Sequence, residues 1–167
     1  MLVLFSHGKE SGAWGRKIQQ LSQVSSKVGL AVDSIDYTDL DEPDERVQRL
    51  LLYLAQVDVP VILVGSSMGG YVSLVAASLH KVQGLFLLAP ALYMDGYEQQ
   101  SYQPIPCPLE IVHGWHDDVV PVENSLRFAK TFPCTLHLVD DDHRLRKSLP
   151  SIESWFESFL APYQENR

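Results

Sequence analysis

Apolar residues along this chain come in two kinds of run, and the two kinds alternate. Short, nearly continuous apolar stretches occur at Leu2–Phe5, Leu30–Asp36, Val59–Val64, Gly84–Pro90, Leu109–Val112 and Cys134–Val139, and such stretches read as buried strands. Between them apolar residues recur at helical spacing. Trp14, Ile18, Leu21, Val24 and Val28 predict a helix over about Ala13 to Val28, which Gly29 stops. Val47, Leu50, Leu51 and Leu54 give the apolar face of a second helix that starts near Pro43. A third resumes at Tyr71-Val72-Ser73-Leu74 and ends near His80, a fourth covers about Val122 to Lys130, and Leu149, Ile152, Trp155, Phe156 and Phe159 mark a last amphipathic helix.

Strands without polar alternation, separated by helices, are expected when helices cover both faces of a parallel sheet. The pattern predicts an α/β three-layer αβα sandwich built on a six-stranded parallel sheet. With right-handed crossovers and one reversal of direction the strand order is 2-1-3-4-5-6. Strands one and three are then neighbours at the switch point, and ligands in such sheets bind at the carboxyl ends of the strands.

Residues 91–108 break the alternation. Tyr93, Tyr97 and Tyr102 are scattered among polar residues, and Pro104, Pro106 and Pro108 close the segment, so no helix longer than a turn or two is expected. These tyrosines and Trp115 have two readings, as the lining of an open cleft or as packing.

Length and composition narrow the classes. A chain of 167 residues with 46% hydrophobic content suits one domain, spanning 1–167, with a substantial core. A net charge of −8, from 13 basic and 21 acidic residues, argues against nucleic acid as a partner, which needs clustered Lys and Arg. No stretch has the length of a membrane span and Met1–Phe5 is too short for a signal-peptide core, so a cytoplasmic protein is expected. The two cysteines, Cys107 and Cys134, imply no disulfide framework and fall at strand starts, the end of the sheet away from ligands.

Chemistry concentrates where strand three meets its helix. Gly65-Ser66-Ser67-Met68-Gly69 has the spacing G-x-S-x-G, which at a strand-to-helix corner holds a serine on a strained turn with its hydroxyl above the sheet. The spacing selects Ser67 over Ser66. Its place at a helix N-terminus favours developing negative charge.

Three further stretches lie at the same ends of other strands: His7-Gly8 after the first, His113-Gly114-Trp115-His116-Asp117-Asp118-Val119-Val120-Pro121 after the fifth, and Asp142-His143 after the sixth. With the serine corner, these make the chain resemble a small member of the α/β-hydrolase superfamily over nearly its whole length. The fifth-strand stretch follows that family's H-G-x-x-D-x-x-V-P pattern with its aspartate on Asp117, and Ser67, Asp117, His143 stand in the family's triad order. The resemblance implies a minimal form of the fold, beginning at what would be the family's third strand and lacking a cap domain between strands four and five.

It also implies roles: Ser67 as nucleophile, His143 as the base, Asp117 orienting His143, and the backbone N–H groups of Met68 and Lys9 as the oxyanion hole. No cofactor or metal is implied, and the spacing of His113, His116 and Asp117 is explained by the hydrolase pattern. The expected activity is hydrolysis of a small-molecule carboxylic ester or thioester through an acyl-enzyme. His7, His80, His113, His116 and His137 are rivals for the base, but His80 ends a helix, His137 sits inside a strand, and His7 and His113 belong to His-Gly turns. Asp118 competes with Asp117, and only the family spacing separates them.

A second reading is a catalytically silent partner-binding module, in which strand two offers an exposed edge to another chain or to a second copy in a homodimer. Retention of all three polar triad residues counts against it. A nucleotide-binding fold of the same strand order is weaker still, because the first loop lacks G-x-G-x-x-G and Gly65–Gly70 lacks the lysine of a P-loop.

Overall fold

The computed structural model describes residues 1–164. Six strands, β1 (Leu2–Ser6), β2 (Ala31–Ile35), β3 (Val61–Ser66), β4 (Gly84–Leu88), β5 (Leu109–Gly114) and β6 (Thr135–Val139), pair in parallel in the order β2-β1-β3-β4-β5-β6. Five helices connect or follow them: α1 (Arg16–Lys27), α2 (Pro43–Leu54), α3 (Met68–Leu79), α4 (Val122–Thr131) and α5 (Leu149–Leu160). The predicted strand order and three-layer architecture are those observed.

Alternation along each strand divides the core between the faces. Leu4 stands beside Leu63, Leu63 beside Leu85 and Leu85 beside Leu109, a row that faces α2, α3 and α4. One residue along, Val3, Ile62 and Phe86 turn the other way, against α1 and α5. Phe86 packs its ring on Phe156 at a centroid distance of 4.9 Å and on Phe159 at 5.4 Å. Each face of the sheet thus has its own apolar layer, and α3, between sheet and α2, is buried on nearly every side.

Several boundaries differ from the sequence expectation. Helix α1 begins at Arg16 rather than Ala13, because residues 9–14 form turns that carry the chain across the end of the sheet. Helix α3 begins at Met68, directly after the serine, and β3 reaches Ser66, so the strand-to-helix corner is a single residue wide. Between β4 and β5 the chain contains bends and turns but no helix and no inserted domain. No helix among the described residues is long and apolar enough to cross a membrane.

Candidate active site

The corner residue Ser67 sits at φ 56°, ψ −120°, in the region L-residues normally avoid. Two bonds from its main chain to the neighbouring β4 side hold it there: its N–H donates to the carbonyl of Leu88 at 2.9 Å, and its carbonyl accepts from Ala91 N–H at 2.9 Å. The flanking glycines are required by contact. A Cβ on Gly65 would lie 2.3 Å from the Gly69 carbonyl oxygen, and one on Gly69 would lie 2.0 Å from that of Ser6.

Ser67 Oγ lies 3.0 Å from Nε2 of His143, and Nδ1 of the same ring lies 2.7 Å from Oδ2 of Asp117. The ring therefore donates from Nδ1 to the carboxylate, which leaves Nε2 as the acceptor facing the serine hydroxyl. Asp117 is held as firmly as it holds. Its Oδ1 accepts the N–H groups of Val119 at 2.9 Å and Val120 at 2.8 Å, and its Oδ2 is also 3.0 Å from Nε2 of buried His113. Burial alone would raise the carboxyl's pKa, but the bonds from His113, His143 and the two N–H groups outweigh it and hold Asp117 well below the usual carboxylate range. Asp117 is the side chain that meets His143; Asp118 instead lines the neighbouring cleft.

His80 closes the far end of α3, and the remaining histidines have partners elsewhere. His113 also bonds the Ser125 hydroxyl through Nδ1, His116 pairs with Asp140 at the surface, and His137 pairs with Glu110 and stacks on Trp155 at 4.2 Å. His113 points inward and His116 outward, so they do not converge on one point. Cys107 and Cys134 are half-buried free thiols at the starts of β5 and β6.

Buried His7 shapes the loop after β1. Its Nε2 accepts the N–H of Tyr37 at 2.9 Å, so Nδ1 carries the proton and donates to the Gly8 carbonyl at 2.7 Å. Desolvation is the main reason its pKa falls below the ordinary histidine value. Arg46, only 1% exposed, donates to the same Gly8 carbonyl, to that of His7 and to that of Leu40, with its guanidinium 5.4 Å from the centre of the Tyr37 ring. In a trans peptide the C=O and the following N–H point in opposite directions. The anchored Gly8 carbonyl therefore turns the N–H of Lys9 away from Arg46, and Lys9 lines the cleft that holds Ser67.

Sequence reasoning missed Arg46. Its signal was an arginine four residues before Leu50 on the apolar face of α2, a place where an unpaired charge has to find buried acceptors. Replacing Arg46 by Met leaves those carbonyls short of a donor, and we expect about 2 kcal/mol of destabilisation, or a melting temperature lower by roughly 4–8 °C. The folded variant should also react about tenfold more slowly with a fluorophosphonate at 20 °C, well below that melting point. An unchanged labelling rate would limit Arg46 to a structural role.

A cleft of about 830 Å³ opens above Ser67 and His143. Tyr97 and Met94 reach its wall from the β4–β5 segment, whereas Tyr93 and Tyr102 pack edge-on against each other at 5.1 Å. The segment is tied down through Tyr71, whose hydroxyl donates to Asp44 at 2.6 Å and accepts Gln99 N–H at 3.0 Å. Of the two readings of the aromatic residues, Tyr97 fits the first and Tyr93 and Tyr102 the second; Trp115 is exposed.

Comparison with known proteins agrees with this architecture. A structure from Xanthomonas campestris pv. campestris, assigned to the α/β hydrolase superfamily, superposes with a TM-score of 0.88 at 30% identity, covering 96% of this chain and 98% of that one. Palmitoyl-protein thioesterase ABHD10, mitochondrial, of Rattus norvegicus is 23% identical over 184 residues, covering 76% of this chain. This chain spans 62% of that relative's length. The mouse ABHD10 structure shares the fold, with a TM-score of 0.79 at 21% identity over 97% of this chain and 90% of its own. The model of the alpha/beta hydrolase family matches residues 3–165, and the chain belongs to that family.

Proposed function

We propose that this protein is a serine hydrolase that cleaves a carboxylic ester or thioester through an acyl-enzyme on Ser67. The observation that carries this reading is the continuous hydrogen-bonded relay from Ser67 Oγ through His143 to Asp117, with the serine on a strained corner beside an open cleft.

A free hydroxyl is a weak nucleophile, so the first step is transfer of its proton to Nε2 of His143 as Oγ attacks the acyl carbon. The ionised Asp117 stabilises the imidazolium and keeps Nδ1 protonated. Negative charge gathers on the former carbonyl oxygen. Two donors suit it: the N–H of Met68, in the first turn of α3 where helical N–H groups have no intrahelical acceptor, and the N–H of Lys9, turned out by its anchored peptide. Collapse of the tetrahedral intermediate expels the alcohol or thiol, which takes the proton held on His143. Water then repeats the sequence and frees the acid. The thioesterase names of the ABHD10 relatives support a thioester as substrate class alongside an ester.

Labelling with a fluorophosphonate probe tests the proposal. Wild-type protein should be labelled within minutes and Ser67→Ala not at all, with intact-mass analysis placing the adduct on the peptide that holds Ser67. A folded wild-type sample without Ser67-dependent label would refute the assignment and favour the partner-binding reading.

A further inference from the structure

The cleft above Ser67 has two chemically different walls. Ala91, Met94 and Tyr97 from the β4–β5 segment, with Val119 and Val120 from the loop after β5, form an apolar wall over the α3 and α4 side of the sheet. The opposite wall, over α1 and α5, carries Lys9, Arg16, Lys17, Arg144 and Arg146. These are five of the chain's 13 basic residues, gathered on one cleft of a protein whose net charge is −8.

Three carboxylates, those of Glu10, Asp118 and Asp142, also line the cleft. None of them neutralises a cation by contact. Among the described residues the Lys and Arg ion pairs are Arg49–Asp39 and Lys147–Asp140, both outside the cleft.

The cations also sit where local stability disfavours them. Arg16 and Lys17 occupy the first turn of α1, which has no acidic residue, so both add positive charge to the positive end of the helix dipole. Lys17 is half-buried, and desolvation pulls its amine down to about 8 in spite of Asp117, Asp141 and Asp142 nearby. Cations without a carboxylate in contact, two of them at a helix end that disfavours positive charge, beside a nucleophile, fit an anion that arrives with the substrate.

Chemistry fixes which part of the substrate carries the charge. The leaving group departs on the side of His143, which must protonate it. Arg144 and Arg146 belong to the same loop as His143, and Lys17 is close enough to Asp142 and Arg144 for their charges to act on its amine. The acyl chain is left with the apolar wall.

We propose that the cationic wall binds an anionic leaving group, so that the substrate is a thioester or ester of an uncharged acyl chain with a thiol or alcohol bearing phosphate or carboxylate groups. The proposal rests on the hydrolase reading of Ser67.

The test compares octanoyl thioesters of coenzyme A, glutathione and N-acetylcysteamine, which share an acyl chain and carry phosphates, carboxylates and no charge respectively. At low ionic strength the wild-type kcat/KM should favour at least one anionic thioester over the neutral one by tenfold or more, and 0.5 M NaCl should shrink that ratio to below threefold. The anionic arm that wins identifies phosphate or carboxylate. In the Arg144→Gln/Arg146→Gln double variant the ratio should fall about tenfold.

A second readout does not depend on turnover. The free thiol of the winning anionic arm, coenzyme A or glutathione, should bind folded Ser67→Ala protein at least tenfold more tightly than N-acetylcysteamine by calorimetry. Equal kcat/KM on charged and neutral thioesters, a ratio unmoved by the double variant, or affinity of that anionic thiol no greater than that of N-acetylcysteamine would overturn the proposal. Failure of the hydrolase reading looks different: no Ser67-dependent turnover of any thioester and no fluorophosphonate label.

Discussion

Alanine at Ser67 or at His143 should each lower turnover of an activated thioester by about 10⁶-fold, and the double variant should be no slower than either single one. In the proposed mechanism the two side chains act on one proton. Without the imidazole the hydroxyl has no acceptor at Nε2, which stands 3.0 Å from Oγ, and without the hydroxyl the imidazole has nothing to activate. A double-variant rate equal to the product of the single losses would mean that the residues act independently, and the relay would have to be abandoned. Asp117→Asn should fall less, by about 10⁴-fold, because the amide can still fill the space but cannot hold the Nδ1–H tautomer. In that variant the amide also has to satisfy His113 and the N–H groups of Val119 and Val120 at once, so the loop after β5 should lose protection from hydrogen exchange.

Gly69→Ala should cost more than about 3 kcal/mol of stability, lowering the melting temperature by at least roughly 6–12 °C, with labelling of Ser67 lost in whatever folds. The added methyl would stand 2.0 Å from the carbonyl oxygen of Ser6 and 2.7 Å from that of His7. Both obstacles are backbone, in the strand end and loop that also position Lys9, so neither can rotate aside as a side chain would. Thermal denaturation followed by circular dichroism reads the first effect, and the fluorophosphonate rate at a temperature where the variant is folded reads the second. Gly96→Ala is a useful control, since a Cβ there meets nothing within 4 Å, although its φ of +82° still makes the substitution mildly strained. Near-wild-type melting of Gly69→Ala would show that β1 and α3 can separate, which the strand pairing of Ser6 with Gly65 argues against.

Strand order was legible in the sequence because it rests on apolar pattern and connection rules, and the gathering of Ser67, Asp117 and His143 because the stretches at three strand ends resemble those of the α/β-hydrolase family. Apolar runs locate strands, crossover handedness limits the order, and a serine two residues from glycines on either side has one geometry to serve. The supports of the site were not legible. Arg46 is read along the chain as one charge among several on an amphipathic helix, and only the fold shows that its guanidinium meets the His7, Gly8 and Leu40 carbonyls inside the protein. The two-walled cleft was hidden for the same reason. Lys9, Arg16 and Lys17 are separated from Arg144 and Arg146 by more than half the chain, and an acidic total concealed a basic surface. The early end assigned to the loop before α1 has a related cause: Trp14 continues the helical spacing, but it is exposed and belongs to the turns instead.

Two residues beyond His143, Leu145 adopts φ 55° with its side chain fully buried against the α1 and α5 layer. A leucine there gives up of order 1–2 kcal/mol of backbone comfort, offset by the apolar anchor it drops into the core. The loop that carries the histidine is therefore fastened to the interior. For the loop backbone to carry His143 away from Ser67, Leu145 has to leave its socket, an event that belongs with the cooperative opening of the domain rather than with the fast motions of a surface loop. The backbone that presents His143 is then in place for as long as the protein is folded. Heating should abolish reactivity and native structure along one and the same curve, with no temperature interval in which an intact domain is idle.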